Sequence, residues 1–331
     1  MHVAIRADGG PDIGYGHLVR SSAFASHILK HGGEVTYATT TPESAREVLP
    51  PLISIVKLPT RGDPQPFIEW IYDADVDLVY TDSYPVDTDY QRAVRKIVPL
   101  AVFLDDARYP ICADAFVNGN IYAPSLNYEF TGDEPEWCLG TDYTLLREKI
   151  RAFAAREPIW RPTPEHAVVT MGGSDVAELT PTVVQAFDEF NLQVDVIVGP
   201  GFSNESAIRL AAKEIDAETN VVRNPSDLPE LLYRADLAVS ACGSTIYELL
   251  ALGTPIIGIP VVDNQEMIAS SLRDMSLGTV VERTSSKRTI RKAVRELMTD
   301  SDQRRSYQVA GRQTVDGQGV ERVTAELFSL V

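Results

Sequence analysis

At 331 residues the chain is about twice the usual size of one domain, so two domains of roughly 150 residues each account for it, each large enough to bury its own core. Hydrophobic residues at 44% and charged residues at 23% are ordinary globular usage, and no apolar run reaches the roughly 18 residues that a membrane span needs. The 47 acidic against 30 basic residues, a net charge of −17, argue against a nucleic-acid groove, which requires basic clusters to neutralise phosphates.

The chain enters a strand at once, His2-Val3-Ala4-Ile5-Arg6, without the basic and apolar blocks of a signal peptide, so a cytoplasmic protein is expected. An amphipathic run over 18–30 and a strand over 34–38 complete a βαβ unit. Further strands are predicted at 78–80, 100–104 and 115–117, the first two running into acids; helical crossovers make their order parallel. Pro158, Pro162 and Pro164 interrupt the periodicity between 157 and 165, as a linker would. An N-terminal domain over 1–157 and a C-terminal domain over 165–331 follow, the last helix being free to cross back to the first domain. The second half repeats the grammar, with strands at 166–171, 194–198, 237–240 and 255–259 and helices at 180–190 and 245–252. The expected fold is α/β, two Rossmann-like domains facing a cleft, with functional loops at the carboxyl ends of their strands.

Two broader expectations come from composition. Cys112, Cys138 and Cys242 are odd in number, widely spaced and without a CxxC pair, so neither a disulfide framework nor a zinc site is predicted. Arginine outnumbers lysine and acids are scattered over loops and helix faces, a pattern expected of adaptation to high salt, with an ordinary acidic cytosolic enzyme as the alternative.

The first βα loop runs from Arg6 through Asp8, Gly9, Gly10, Gly14, Tyr15 and Gly16 to His17, with a helix at Leu18. Glycines allow close backbone approach, and a helix N-terminus offers free N–H groups. Of five histidines only His17 has such a setting, which makes it the candidate general base. The third glycine of a dinucleotide fingerprint is missing, and so is the Gly-Lys-Ser/Thr of a P-loop, so neither NAD nor ATP is expected. In the second half Gly172-Gly173-Ser174-Asp175 follows a strand and suits a diphosphate. Cys242-Gly243-Ser244-Thr245 joins a strand to a helix, gathering N–H groups and hydroxyls where an anion is favoured. Glu248 lies one turn inside, able to accept both ribose hydroxyls, and Asn264-Gln265 offers amides to a sugar hydroxyl or acetamido group.

Over nearly its whole length the chain resembles the UDP-sugar hydrolases of pseudaminic acid synthesis and their spore-coat-polysaccharide relatives. The resemblance rests on Ile5-Arg6-Ala7-Asp8, Ile13-Gly14-Tyr15-Gly16-His17-Leu18-Val19-Arg20, Asp82-Ser83-Tyr84, Asp105-Asp106 and Asn118-Gly119-Asn120, and then on the residues from Leu139 to Arg147. It continues through Gly172 to Asp175, Ser240 to Thr245 with Glu248, Asn264-Gln265, and Asp316 to Gly319. It implies the two-domain architecture of the GT-B glycosyltransferases, such as the UDP-GlcNAc transferase of peptidoglycan assembly. UDP would be held mainly by the C-terminal domain, without a metal or other cofactor, and the sugar pointed at His17. Gly9-Gly10-Pro11-Asp12, Tyr15 and Cys242 depart from the family pattern, which leaves the sugar open.

The expected reaction is inverting hydrolysis: His17 deprotonates water, Asp8 orients the imidazole or binds a sugar hydroxyl, and Tyr84 packs against the sugar. Arg20 and the loop residues above complete the substrate contacts, and no nucleic-acid or membrane partner is expected. A transferase using the same UDP-sugar with a glycan or lipid acceptor is the main alternative, and a binding protein without turnover the third. A monomer is the favoured state.

Overall fold

The computed structural model describes residues 1–331 as two compact units, residues 1–148 with 317–331 and residues 149–316. The first is built from β1 (His2–Ala7), α1 (Gly16–Lys30), β2 (Glu34–Thr39), α2 (Pro42–Val48), β3 (Ser54–Lys57), α3 (Gln65–Asp73), β4 (Leu78–Asp82), α4 (Thr88–Arg95), β5 (Leu100–Phe103), β6 (Ala115–Asn118) and β7 (Glu136–Leu139). Its sheet is wholly parallel, in the order β3-β2-β1-β4-β5-β6-β7. Alternation along β1 sorts the faces: Val3, Ile5 and Ala7 pack against Phe24 and Ile28 of α1, whereas Ala4 joins Phe67 and Ile71 of α3 and Tyr90 and Val94 of α4.

The chain then runs through α5 (Glu148–Ala154), β8 (His166–Thr170), α6 (Thr180–Ala186), β9 (Gln193–Val198), α7 (Glu205–Lys213), β10 (Glu218–Arg223), α8 (Leu228–Arg234), β11 (Leu237–Ala241) and α9 (Thr245–Leu252). It continues with β12 (Ile256–Ile259), α10 (Glu266–Asp274), β13 (Thr279–Val280), α11 (Lys287–Thr299), α12 (Ser301–Thr314) and α13 (Gly319–Phe328). The second sheet, again all parallel, is ordered β10-β9-β8-β11-β12-β13. The helix α13 belongs to the first unit, where Val320, Val323 and Leu327 enter the core beside α1.

In each sheet the strand order reverses direction once, between β1 and β4 and between β8 and β11. Crossover helices leave such a switch point on opposite faces, so the loops there diverge and open a crevice. The His17 loop follows β1, the glycine loop at 172–174 follows β8, and the 242–244 turn follows β11.

The boundary lies at 148/149, so the proline-rich stretch expected to separate the domains is instead a strap on the second unit. Phe153 stacks on Tyr233 at 4.8 Å, Tyr233 donates to the Glu157 carbonyl at 2.7 Å, and Gln308 donates to the Ile159 carbonyl at 2.9 Å. Arg304, 1% exposed, donates to the carbonyls of Pro162 (2.6 Å) and Leu297. Burial draws the Arg304 pKa down, and the charges of Asp236 and Asp300 only partly offset it. Arg304→Met leaves those carbonyls unpaired, so urea unfolding should show a loss of about 2 kcal/mol. Limited proteolysis should then cut within 155–165; an unchanged unfolding midpoint would remove this role from Arg304.

Candidate active site

The loop after β1 closes on itself, with Gly10 and Gly14 exchanging backbone hydrogen bonds at 3.1 and 2.8 Å. Gly14 turns at φ +93°, a conformation that disfavours side chains. The helix α1 begins without a side-chain cap, and His17 sits in its first turn, the side chain 8% exposed. Its Nδ1 lies 2.6 Å from Oδ1 of Asp82, the last residue of β4.

Arg20, three residues further along α1 and on the same face, determines how this contact is protonated. Its Nε and Nη2 reach the two oxygens of Asp82 at 2.6 and 2.7 Å, and its Nη1 and Nη2 reach those of Asp105 at 2.8 and 3.1 Å. Both Nη2 hydrogens are therefore committed to carboxylates, and the 2.8 Å approach of Nη2 to His17 Nδ1 has no proton left to carry. Nδ1–H therefore donates to Asp82, so that in the neutral form of the ring the lone pair lies on Nε2, with the imidazole oriented by a carboxylate.

Behind it stands a second layer. Asp105 also accepts from Asn120 Nδ2 at 2.9 Å and from the Tyr84 hydroxyl at 2.8 Å, and its own carbonyl accepts from Tyr122 at 3.0 Å. Burial would raise the Asp105 pKa, but the Arg20 charge outweighs it and holds the carboxyl well below the usual range. For Arg20 burial works against the charge, and Asp105 and Asp82 more than restore it. Burial first, and then Asp105, push the Tyr84 phenol far above its ordinary value. The Tyr84 ring meets the His17 ring edge-on at 4.8 Å, and the Arg108 guanidinium lies 3.7 Å over the same ring.

Several expected assignments are corrected by this geometry. Asp8 does not touch His17. One of its oxygens accepts from Thr39, the Thr40 amide and the Thr40 hydroxyl, and the other from Arg6 at 2.7 Å, Ser83 at 3.1 Å and Arg61 at 3.3 Å. Both oxygens are saturated and buried, so neither the imidazole nor a sugar hydroxyl is served; the orienting carboxylate is Asp82. Arg20 was expected on the substrate, but it is 14% exposed and bound to two carboxylates. Asp175 accepts from the amides of Leu179 and Thr180 and from Asn204, which makes it a clamp at the start of α6 rather than a ligand to a diphosphate. The Cys242 thiol is fully buried against Gly258, where a Cβ would meet Sγ at 2.8 Å, and burial raises its pKa to about 12. Tyr15 directs its hydroxyl to Glu47 at 3.4 Å.

In the second unit the expected loops lie at the switch point. The glycine loop is pinned from below: Gly201 N donates to the Gly173 carbonyl at 2.9 Å, and a Cβ on Gly201 would collide with Ser174 Oγ at 2.2 Å. No side chain caps α9, whose start is formed by partly exposed Gly243, exposed Ser244 and partly exposed Thr245, while Glu248 is buried in its first turn. Gln265 accepts from the Val261 amide at 2.9 Å and sets its Nε2 3.5 Å from the Cβ position of Gly243; Asn264 is exposed beside it. No helix of the chain is long and apolar enough to cross a membrane.

Residues 167–318 match the glycosyltransferase family 28 C-terminal domain. Over its full length the chain is 25% identical to the spore coat polysaccharide biosynthesis protein SpsG of Bacillus subtilis strain 168, aligned over 100% of this chain and 98% of the relative. It is 22% identical to the UDP-2,4-diacetamido-2,4,6-trideoxy-beta-L-altropyranose hydrolase of Campylobacter jejuni, across 82% of this chain and 96% of that one. Among solved structures it is similar to MurG of Acinetobacter baumannii, with a TM-score of 0.71 at 16% identity and 99% of both chains covered. The calicheamicin glycosyltransferase CalG4 is similar too, with a TM-score of 0.70 at 17% identity over 99% of this chain and 97% of that one. The fold is GT-B.

The Asp8 cluster has a pH signature of its own. Burial would raise the Asp8 pKa, but Arg6 and the Thr40 amide outweigh it and hold the carboxyl at about 2, against 3.8 unperturbed. A folded pKa below the unfolded one adds stability above pH 3.8 and loses it as pH falls towards 2; the displacement corresponds to about 2 kcal/mol. Asp8→Asn should therefore be less stable than the parent at pH 7, the difference shrinking between pH 4 and pH 2 in urea titrations. A difference independent of pH would contradict the assignment.

Proposed function

We propose that this SpsG-like chain, a GT-B protein related to the UDP-sugar hydrolases, releases UDP from a UDP-linked acetamido, deoxy sugar by attack of water at the anomeric carbon with inversion. The observation that carries this reading is the His17–Asp82 pair, which leaves Nε2 as a proton acceptor at the switch point of the first sheet. Water gives its proton to Nε2 as its oxygen bonds to the anomeric carbon. The bond from that carbon to the diphosphate oxygen breaks, and the electron pair leaves with UDP. Asp82 stabilises the imidazolium that forms.

The nucleotide is assigned to the second unit. The uncapped start of α9 at Gly243, Ser244 and Thr245 presents N–H groups and hydroxyls to an anion, and the loop at Gly172, Gly173 and Ser174 presents a second set. Glu248 is assigned to the ribose, and Asn264 and Gln265 to the sugar or the turn beside it. The match of residues 167–318 to the family 28 domain supports a nucleotide-sugar site in this half, and the hydrolase activity of the Campylobacter relative supports water as acceptor and an acetamido sugar as substrate.

A second reading, an inverting transferase with a glycan or lipid hydroxyl as acceptor, is favoured by the same domain match, because the base chemistry is common to both. Phosphorus NMR of UDP-sugars incubated with the protein separates them: UDP released without an acceptor supports hydrolysis, and release only with an added acceptor supports transfer. His17→Asn should leave the UDP dissociation constant unchanged and lower turnover at least about a hundredfold. Asp82→Asn should lower it by on the order of a thousandfold through the wrong tautomer. Full turnover in either variant would sink the base assignment. Glu248→Ala should weaken UDP binding about tenfold in calorimetry; undiminished affinity would remove the ribose role.

A further inference from the structure

The charge count around His17 is uneven. Arg20 carries one positive charge, and Asp82 and Asp105 carry two negative ones, so the cluster rests with a single negative charge in surplus while the imidazole is neutral. The other groups around the cluster are neutral or paired, apart from one solvent-screened arginine. From the loop after β4 comes Tyr84, a phenol held neutral by burial and Asp105; from behind Asp82 come Tyr80 and Tyr37, both buried with raised pKa values. On the loop after β5 the charges of Arg108 and Asp106 pair at 2.6 Å, and after β6 stand the neutral Asn120 and Tyr122. Near β1, the one carboxylate of Asp8 is paired with Arg6 at 2.7 Å and with Arg61 at 3.3 Å, and the cation in excess there is that of Arg61, 37% exposed and screened by water.

Asp105 makes no hydrogen bond to the imidazole. Its four bonds go to Arg20 twice, to Asn120 and to Tyr84. We propose that Asp105 is a positioning residue that sets the basicity of His17: by giving Arg20 a second carboxylate, it leaves Asp82 with negative charge to spend on the imidazolium. This inference rests on His17 acting as the base. Were Asp82 the only carboxylate, Arg20 would neutralise it, and a proton on His17 would bring the cluster to a net positive charge in a site where few side-chain atoms meet water. With Asp105 present, the same proton brings the cluster to neutrality. Tyr84 and Asn120 hold Asp105 in register, and the Tyr84 ring meets the imidazole ring as well.

The test is a proton-NMR titration of the His17 ring, read alongside the pH profile of turnover. Asp105→Asn removes the surplus charge at nearly constant shape, and should lower the His17 pKa by about one unit. The acid limb of the profile should move down by the same interval, and the plateau should fall about threefold as the base weakens. Asp105→Glu should restore both. An unshifted His17 titration in a folded Asp105→Asn variant overturns the proposal. If Asp105→Asn does not fold, Asp105→Asn combined with Arg20→Gln restores the net charge of the cluster. A His17 pKa at or above the parental value then supports the charge argument, and one below it overturns the argument. Because the titration needs no substrate, a shifted His17 in a protein that turns over no UDP-sugar would sink the hydrolase reading and leave this inference standing.

Discussion

The first unit depends on one guanidinium holding two carboxylates. Arg20 of α1 joins the end of β4 through Asp82 to the loop after β5 through Asp105, and Asn120 from the loop after β6 closes the chain of contacts. Three loops that would otherwise move independently are fixed to one helix. A buried ion network of this kind contributes little net stability, because desolvating three charges cancels most of their attraction. What it supplies is geometry: with every acceptor and donor filled, His17 has one tautomer and one orientation available to it.

The same economy governs the second unit without charges. There the loop at 172–174 is fixed by backbone contact, the Gly173 carbonyl accepting from Gly201 where no side chain fits. Glycine at 201 lets the neighbouring strand end approach closely enough to hold the shape of that loop. In each unit the fixed loop lies at the switch point of a parallel sheet.

Much of the fold was legible because buried parallel strands are short apolar runs, and β1, β2, β8, β9, β11 and β12 read as such. The strands the sequence did not disclose are β3, β7, β10 and β13, all of them at or beside a sheet edge. The burial of β3 and β10 is at best partial, so sequences such as Ser54-Ile55-Val56-Lys57 carry polar ends and too few apolar residues to stand out. The domain boundary was misplaced for a related reason: prolines mark irregular backbone, but whether that backbone is a free linker or a strap is decided by distant residues such as Arg304 and Tyr233.

The site was legible to the same depth. His17 stood out by its loop, whereas its partner did not, because Asp8 and Asp82 carry the same local signature of an acid at a strand end. Only tertiary packing, which gives Arg6 to one and Arg20 to the other, distinguishes them. Asp175 misled in the opposite direction, since an acid in a glycine turn before a helix serves as a cap or as a ligand with equal ease.

The position of α13 has a consequence for biosynthesis. Val320, Val323 and Leu327 belong to the core of the unit that also contains the amino terminus, and Gly319 lies so close to Thr144 that a Cβ would meet its carbonyl at 2.3 Å. On the ribosome the histidine-bearing sheet therefore waits, with part of its hydrophobic face uncovered, while residues 149–316 are translated. The later-made half can close first, and the earlier-made half becomes complete only when the α13 segment emerges, so the order of synthesis and the order of maturation run in opposite directions.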